Sequence, residues 1–89
     1  MEISKMLTVS TAHITQETSE LLDNDKLSIV VYPKSEYGWF ILVCDWDEYE
    51  NELPKDLKKL LMLAEDQGCN WLCLDCDGEV LGFLDVYEW

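Results

Sequence analysis

The segment LPKDLKKLLMLAEDQGCNWLCLDCDGEV, Leu53 to Val80, decides the fold because it contains a helix, the end of that helix, a strand and a turn. Its first apolar residues recur at i, i+4, i+7, i+8 and i+11, the spacing of one helix face. These residues are Leu53, Leu57, Leu60, Leu61 and Ala64. Pro54 favours a helix start and Gly68 a helix end. The apolar run after Gly68 predicts a strand, and Asp77 with Gly78 predicts a hairpin turn.

The rest of the chain supplies further strands and a shorter helix. KMLTVS, residues 5–10, alternates as a short strand does, and a helix is predicted from about Thr15 to Leu22. LSIVVYP, residues 27–33, and GWFILVC, residues 38–44, are rich in β-branched and aromatic residues. They predict a central antiparallel hairpin that is buried on both faces or nearly so. Downstream of the predicted turn, EVLGFL, residues 79–84, predicts a return strand, and the final residues an edge strand or tail.

The predicted fold class is α+β, with elements in the order β-α-β-β-α-β-β. This is the split βαβ pattern of a ferredoxin-like two-layer sandwich with one added strand. We expect an antiparallel sheet with two helices on one face. The length of 89 residues predicts a single domain, residues 1–89.

The charge of the chain limits its partners. There are 19 acidic and 6 basic residues, a formal charge of −13, and every basic residue is a lysine. Direct binding to nucleic acid is not expected, because it depends on Lys and Arg that neutralise phosphates. The sequence shows no signal-peptide pattern and no apolar run near the roughly 20 residues that span a bilayer. We expect a cytoplasmic protein with reduced thiols, no membrane contact and a surface that suits a basic partner.

The sequence DWDEYENE, Asp45 to Glu52, is called the acidic segment below. Its acids are Asp45, Asp47, Glu48, Glu50 and Glu52, with Trp46 and Tyr49 between them. A calcium-binding EF-hand loop would need glycine at its sixth position, where this segment has Glu50. One interpretation is a solvated loop that places negative charge near the start of the next helix. The other is a binding surface whose carboxylates imitate the phosphates of nucleic acid, with Trp46 and Tyr49 as anchors.

Cys69, Cys73 and Cys76 have the C-x3-C-x2-C spacing with which three thiolates hold a four-iron cluster. Enzymes that use this cluster surround it with a much longer barrel. Zinc would need a fourth ligand, for which Cys44, His13 and Asp75 are the candidates. Side chains alternate along a strand, so Cys73 and Cys76 would point to opposite faces unless the turn intervenes. We interpret the cysteines as buried or semi-buried free thiols and expect no cofactor; a small metal-binding or redox protein is the alternative.

No catalytic constellation is visible. His13 is the single histidine and is predicted to be a hydrogen-bonded structural residue between strand and helix. No nucleophile elbow or phosphate loop is present, so no enzymatic activity and no catalytic residues are expected. Met62 lies on the polar side of the predicted helix and, with the terminal Tyr87 and Trp89, suggests a small apolar contact surface. A structural or assembly role, including a homodimer, is therefore a further alternative.

The segments LTVSTAHIT, YGWFILV, LPKDLKKLLMLAEDQGCNWLCLDCDGEV and VYEW resemble a small uncharacterised bacterial and phage domain family. Its members are found among prophage, plasmid and other mobile-element genes. The resemblance covers nearly the whole chain and implies no activity or catalytic residue. It implies an accessory protein of a mobile element, and such elements often encode acidic inhibitors of host defence. The leading hypothesis is thus a non-enzymatic acidic module that binds a basic protein, in particular a nucleic-acid-binding one, as a DNA mimic or modulator of host defence.

Overall fold

Strands and helices follow each other in the order β-α-β-β-α-β in a computed structural model that describes all 89 residues. The strands are β1 (Met6–Ser10), β2 (Val31–Lys34), β3 (Gly38–Leu42) and β4 (Trp71–Asp75). The α-helices are α1 (Gln16–Asp23) and α2 (Lys55–Asp66). Two 3-10 helices, Thr11–His13 and Trp46–Glu52, precede them. The α+β fold class predicted from the sequence is confirmed.

The four strands form one sheet in the order β1-β4-β3-β2. The pairs β2 with β3 and β3 with β4 are antiparallel, whereas β1 and β4 are parallel. The sheet is therefore mixed and not wholly antiparallel as expected. Alternation of apolar residues reports which face of a strand is buried but not the direction of its neighbour, which explains the difference.

The predicted hairpin is present, but only β3 is central. β2 is an edge strand, with Pro33 at a position that needs no ladder N–H and with Tyr32 55% exposed. Leu27 and Ile29, which were predicted to begin this strand, are buried in the core before β2 starts. In β3, Trp39 and Ile41 are buried on the core face, and Phe40 and Leu42 are half-buried on the other face. The expectation that both strands are buried on both faces or nearly so is therefore met by β3 and not by β2.

The core lies between the sheet and the two α-helices. The predicted apolar face of α2 is fully buried at Leu57, Leu61 and Ala64, and it packs in one cluster with residues from α1 and from the sheet. The sheet contributes Val9, Trp39, Ile41, Leu72 and Leu74. Gly68 has φ +73°, a left-handed conformation that favours glycine just beyond a helix end.

The chain after β4 does not form the predicted return strand. A turn closes where the Gly78 N–H donates to the Asp75 carbonyl over 2.9 Å, but residues 79–89 are irregular. A return strand cannot pair with β4, because β1 and β3 already occupy both edges of β4. The chain crosses to the end of β1 instead, where the Ser10 N–H donates to the Glu79 carbonyl over 2.9 Å.

The C-terminal tail, residues 79–89, is held by the residues that follow β1. His13 is 3% exposed, with Nδ1 2.8 Å from the Asp85 carbonyl oxygen and Nε2 accepting the Leu81 N–H over 2.9 Å. Both bonds are satisfied when the ring is neutral and carries its proton on Nδ1. The Tyr87 N–H also donates to the Ala12 carbonyl over 2.8 Å. These bonds agree with the structural role predicted for His13.

A buried carboxylate connects the starts of the two α-helices. Asp56, in the first turn of α2, is 9% exposed and has no lysine partner. Its Oδ2 accepts the Thr15 N–H over 2.8 Å, and its two oxygens lie 2.9 and 2.8 Å from the Thr18 hydroxyl. Thr15 is the N-cap of α1, so one carboxylate lies at the positive ends of both helix dipoles. This position compensates for the lost hydration of the charge.

Replacing Asp56 by Asn tests this connection. Asp56→Asn removes the charge and turns one acceptor into a donor that faces the N–H of Thr15 or the hydroxyl of Thr18. We expect the free energy of unfolding to fall by about 2 kcal/mol, the usual range for a hydrogen bond to a charged group. Chemical denaturation measures the change. Asp66→Asn on the exposed side of α2 is the control, and equal effects of the two substitutions would refute the connection.

Gly78 permits the crossing of the tail over β1. A Cβ at this position would lie 2.6 Å from the backbone carbon and oxygen of Val9, whereas a Cβ on Gly82 would meet no atom within 4 Å. We expect Gly78→Ala to lower the free energy of unfolding by about 1 to 3 kcal/mol through backbone overlap. Gly82→Ala should change it by less than about 0.5 kcal/mol. Thermal and chemical denaturation of both variants compare them; a Gly78→Ala protein as stable as Gly82→Ala would contradict the close approach.

Candidate acidic interaction site

The acidic segment is an ordered 3-10 helix and not an extended loop. Asp45 enters it with φ 60°, a left-handed conformation that aspartate tolerates better than most residues, and the helix covers Trp46–Glu52. A 3-10 helix has three residues per turn, so residues three apart share a face. Trp46, Tyr49 and Glu52 therefore lie on one side, and Asp47, Glu48 and Glu50 on the others.

Trp46 belongs to the core. It is 5% exposed, and its indole N–H donates to Glu65 Oε2 in α2 over 3.1 Å. It is therefore not accessible as the surface anchor that the sequence suggested, because it packs in the core cluster and its N–H is bonded to α2. Tyr49, one turn later, is 36% exposed and is the aromatic residue of the segment that a partner could reach.

Glu52 also has a structural role. Its Oε1 accepts the Ser28 N–H over 2.5 Å, and its Oε2 lies 3.2 Å from the Ser28 hydroxyl. This bond joins the end of the acidic segment to the stretch that leads into β2. Together with Trp46, Glu52 fixes the 3-10 helix to the domain at both of its ends.

The outward carboxylates have no cationic partner within the protein. Asp45, Asp47, Glu48 and Glu50 are exposed. The structure contains two salt bridges, Lys34 with Asp75 and Lys59 with Asp85, and neither involves the acidic segment. The fold therefore positions a row of carboxylates without neutralising them.

The three cysteines of the C-x3-C-x2-C spacing do not converge. Cys69 packs in the core, Cys73 lies in β4 beside Thr8 of β1 on the sheet face away from that core, and Cys76 is exposed in the turn. Burial raises the pKa of the Cys73 thiol, which favours the protonated form that binds metal poorly. The geometry gives no support to a site built from these thiols.

A different set of potential ligands does converge, with atoms of Asp75, Cys76 and Asp77 within 4.8 Å of one another. However, both oxygens of Asp75 are already used. Oδ2 is paired with the Lys34 ammonium, and Oδ1 accepts the Asp77 N–H over 2.8 Å. A cation bound here would have to displace Lys34, so these residues form a turn held by an ion pair.

Lys34 and Asp75 form an ion pair on the uncovered face of the sheet, the face opposite the two α-helices. No pattern in the sequence indicated this ion pair. The Lys34 ammonium also lies 5.8 Å from the centre of the Phe40 ring, within cation–π range. Hydrogen bonds from Lys34 and from the Asp77 N–H hold the pKa of Asp75 below its usual value, and the bond with Asp75 raises the pKa of Lys34.

The predicted apolar contact surface is only partly present. Met62 is 52% exposed on the outer side of α2, as expected. Tyr87 is half-buried in the tail. The Trp89 indole N–H donates to the Ile14 carbonyl over 2.8 Å, although the residue as a whole is 55% exposed. The two terminal aromatic residues are thus fastened to the segment after β1 and do not extend a sheet edge.

The pairing of Lys34 with Asp75 predicts a pH dependence. A lowered pKa of Asp75 stabilises the fold above about pH 4, and this contribution is lost as the pH falls through the folded-state pKa. A raised pKa of Lys34 stabilises it below about pH 10.4, and this contribution is lost as the pH rises further. A double-mutant cycle with Lys34→Met and Asp75→Asn should therefore give a constant coupling free energy from about pH 5 to 9, with losses below about pH 4 and above about pH 10.4.

The exposed pair Lys59 and Asp85 is the matched control for this cycle. Its charged atoms are 3.4 Å apart, and its side chains are 62% and 69% exposed. Such pairs contribute little. A Lys34–Asp75 coupling that equals the control value, or one that does not change in acid, would contradict the assignment.

Comparison with known proteins places the chain in a family without assigning an activity. Neither α-helix is long and apolar enough to cross a membrane. No curated protein and no solved structure shows significant similarity to the chain. A family model described as the C-terminal domain of a family of unknown function, DUF5983, matches residues 6–89 and confirms the resemblance to an uncharacterised domain family. The chain therefore belongs to the DUF5983 family, whose C-terminal domain it forms from Met6 onward.

Proposed function

We propose that this protein is a non-enzymatic interaction module whose acidic segment binds a basic protein. The observation that supports the proposal is the row of exposed carboxylates on an ordered helix, none of them paired with a lysine. A charged row that is neutralised internally would not attract a partner. A row of carboxylates that is held in place and has no cationic partner leaves its electrostatic field available to attract a basic protein.

The spacing of these charges is comparable to that of nucleic acid. A 3-10 helix rises about 2.0 Å per residue, so Asp47, Glu48 and Glu50 occupy about 6 Å of its axis. Two intervals separate the three charges, an average of about 3 Å, which is comparable to the spacing of about 3.4 Å between phosphates along one strand of duplex DNA. A protein with a basic groove for nucleic acid is therefore the partner class that we propose, with Tyr49 as an aromatic contact beside the carboxylates.

The bonds of Trp46 and Glu52 support this role indirectly. They hold the segment in one conformation before a partner arrives, so less conformational entropy is lost on binding. The net charge of −13 would also attract a basic partner from a distance and accelerate association at low ionic strength. The mobile-element context, in which the partner is a host protein of nucleic-acid metabolism or defence, is part of the proposal; it was suggested by the sequence segments that resemble domains found among mobile-element genes.

A charge-neutral triple variant tests the proposal. In Asp47→Asn/Glu48→Gln/Glu50→Gln, three of the four unpaired carboxylates are lost, and Trp46 and Glu52, which hold the 3-10 helix, are unchanged. We expect affinity for a basic DNA-binding protein captured from host extract to fall at least about tenfold, with duplex DNA displacing that protein from the unaltered chain. Affinity is measured by isothermal titration at low and at elevated salt.

The control variant makes the same change of net charge elsewhere. Glu2→Gln/Glu17→Gln/Glu20→Gln removes three exposed carboxylates near the N-terminus and on α1. It should weaken binding much less than the first triple. The acidic segment is not the binding surface if both triple variants weaken binding equally. The same conclusion follows if neither added salt nor duplex DNA weakens binding of the basic protein.

A further inference from the structure

A second candidate site is a surface cavity at the end of the sheet where β3 begins. Its volume is about 420 Å³, within the range of about 300 to 1,000 Å³ that is common for ligand sites. It lies between α1, the turn that joins β2 to β3, and the end of the chain. The lining includes Asp23, Glu36, Tyr37, Trp39 and Trp89. The acidic segment follows the opposite end of β3, so the two sites are separate.

Two aromatic rings of this cavity are held in place by their indole N–H groups. Trp39 is 8% exposed and donates to Asp23 Oδ1 over 3.0 Å. Trp89 donates to the Ile14 carbonyl over 2.8 Å and is 55% exposed. Tyr37, in the turn between β2 and β3, adds a third ring that is about half exposed. Rings fixed in this way can contact a ligand without a large loss of side-chain entropy.

The charges of the cavity are all negative. Asp23 and Glu36 are its charged side chains, and no lysine lines it. One carboxylate oxygen of Asp23 accepts the Trp39 indole N–H, and the other makes no hydrogen bond. Lys34, the basic residue nearest to Glu36 in sequence, is engaged by Asp75, and Lys26, three residues after Asp23, does not line the cavity and forms no salt bridge. An anion would be repelled here, and a neutral ligand would leave the carboxylates uncompensated.

We propose that this cavity binds a guanidinium group, held by the carboxylates of Asp23 and Glu36 and stacked against the rings of Trp39, Tyr37 or Trp89. A guanidinium is planar, donates two parallel hydrogen bonds to a carboxylate and stacks on aromatic faces. It also gains from cation–π attraction to tryptophan and tyrosine. An ammonium group has the charge but not the planar shape, so it binds more weakly. The proposal does not depend on the role of the acidic segment.

The guanidinium could belong to a free small molecule or to an arginine of a peptide, and one experiment separates the two. The four tryptophans give four indole N–H signals in a nitrogen-15 NMR spectrum, which Trp→Phe variants assign. The probes are agmatine, N-acetyl-arginine amide and a short arginine-containing peptide, with N-acetyl-citrulline amide as the uncharged analogue of similar shape. Stronger binding of agmatine than of the peptide indicates a small-molecule site, and the reverse indicates a peptide site.

We expect saturable shifts of the Trp39 and Trp89 signals with the guanidinium probes and at least about tenfold weaker binding of the citrulline amide. Trp46, beside the acidic segment, and Trp71, on the uncovered sheet face, should shift little. Shifts confined to Trp46 would overturn this proposal and leave the acidic segment as the cation-binding surface. Equal binding of arginine and citrulline amides would overturn it as well.

Charge variants complete the test. Asp23→Asn keeps an oxygen that can accept the Trp39 N–H, and Glu36 is exposed in a turn, so we expect Asp23→Asn/Glu36→Gln to fold. This double variant should bind N-acetyl-arginine amide at least about tenfold more weakly. Glu17→Gln/Glu20→Gln, with the same change of net charge on the exposed side of α1, should bind it nearly as the unaltered protein does. If both double variants weaken binding of N-acetyl-arginine amide equally, the probe is attracted by net charge alone, and the cavity is not the guanidinium site.

Discussion

The structure depends on one constraint, which is that 19 carboxylates share 6 lysines. Asp75 is paired with Lys34, but several other carboxylates that lie against the domain have partners other than lysine. Asp56 accepts from the start of α1, Glu52 from Ser28, and Glu65 and Asp23 each from a tryptophan indole. The helix starts, the acidic segment and the cavity are each positioned by one of these bonds. Carboxylates without such a bond remain in water and repel one another, a cost to the compact state.

The parts of the fold that depend on local spacing were predictable from the sequence, and those that depend on pairing were not. The period of α2 and the glycine at its end follow from sequence positions alone. The turn before Gly78 was also found, but the hairpin was not formed because β1 occupies the edge of β4 that a return strand would need. That neighbour lies more than 60 residues away in sequence, since Met6 pairs with Trp71.

The candidate sites show the same division. Asp47, Glu48 and Glu50 were found by composition, and the structure leaves them exposed. Trp46 was misjudged because its burial depends on packing against distant residues such as Glu65 in α2, which the sequence of the segment does not show. No local pattern connects Asp23, Trp39 and Trp89, which meet only because the tail crosses β1 and returns past Ile14. Gly78 could have indicated a close backbone approach, but not the cavity that this crossing helps to form.

We propose that the acidic segment is an ordered binding surface and not merely a charged part of the exterior. Hydrogen–deuterium exchange tests it most directly, with the protein measured alone and in complex with a captured basic DNA-binding protein. We expect slower exchange in the complex for backbone amides of residues 46–53, where the partner would cover the 3-10 helix. Unchanged exchange there, with protection confined to other parts of the domain, would contradict it.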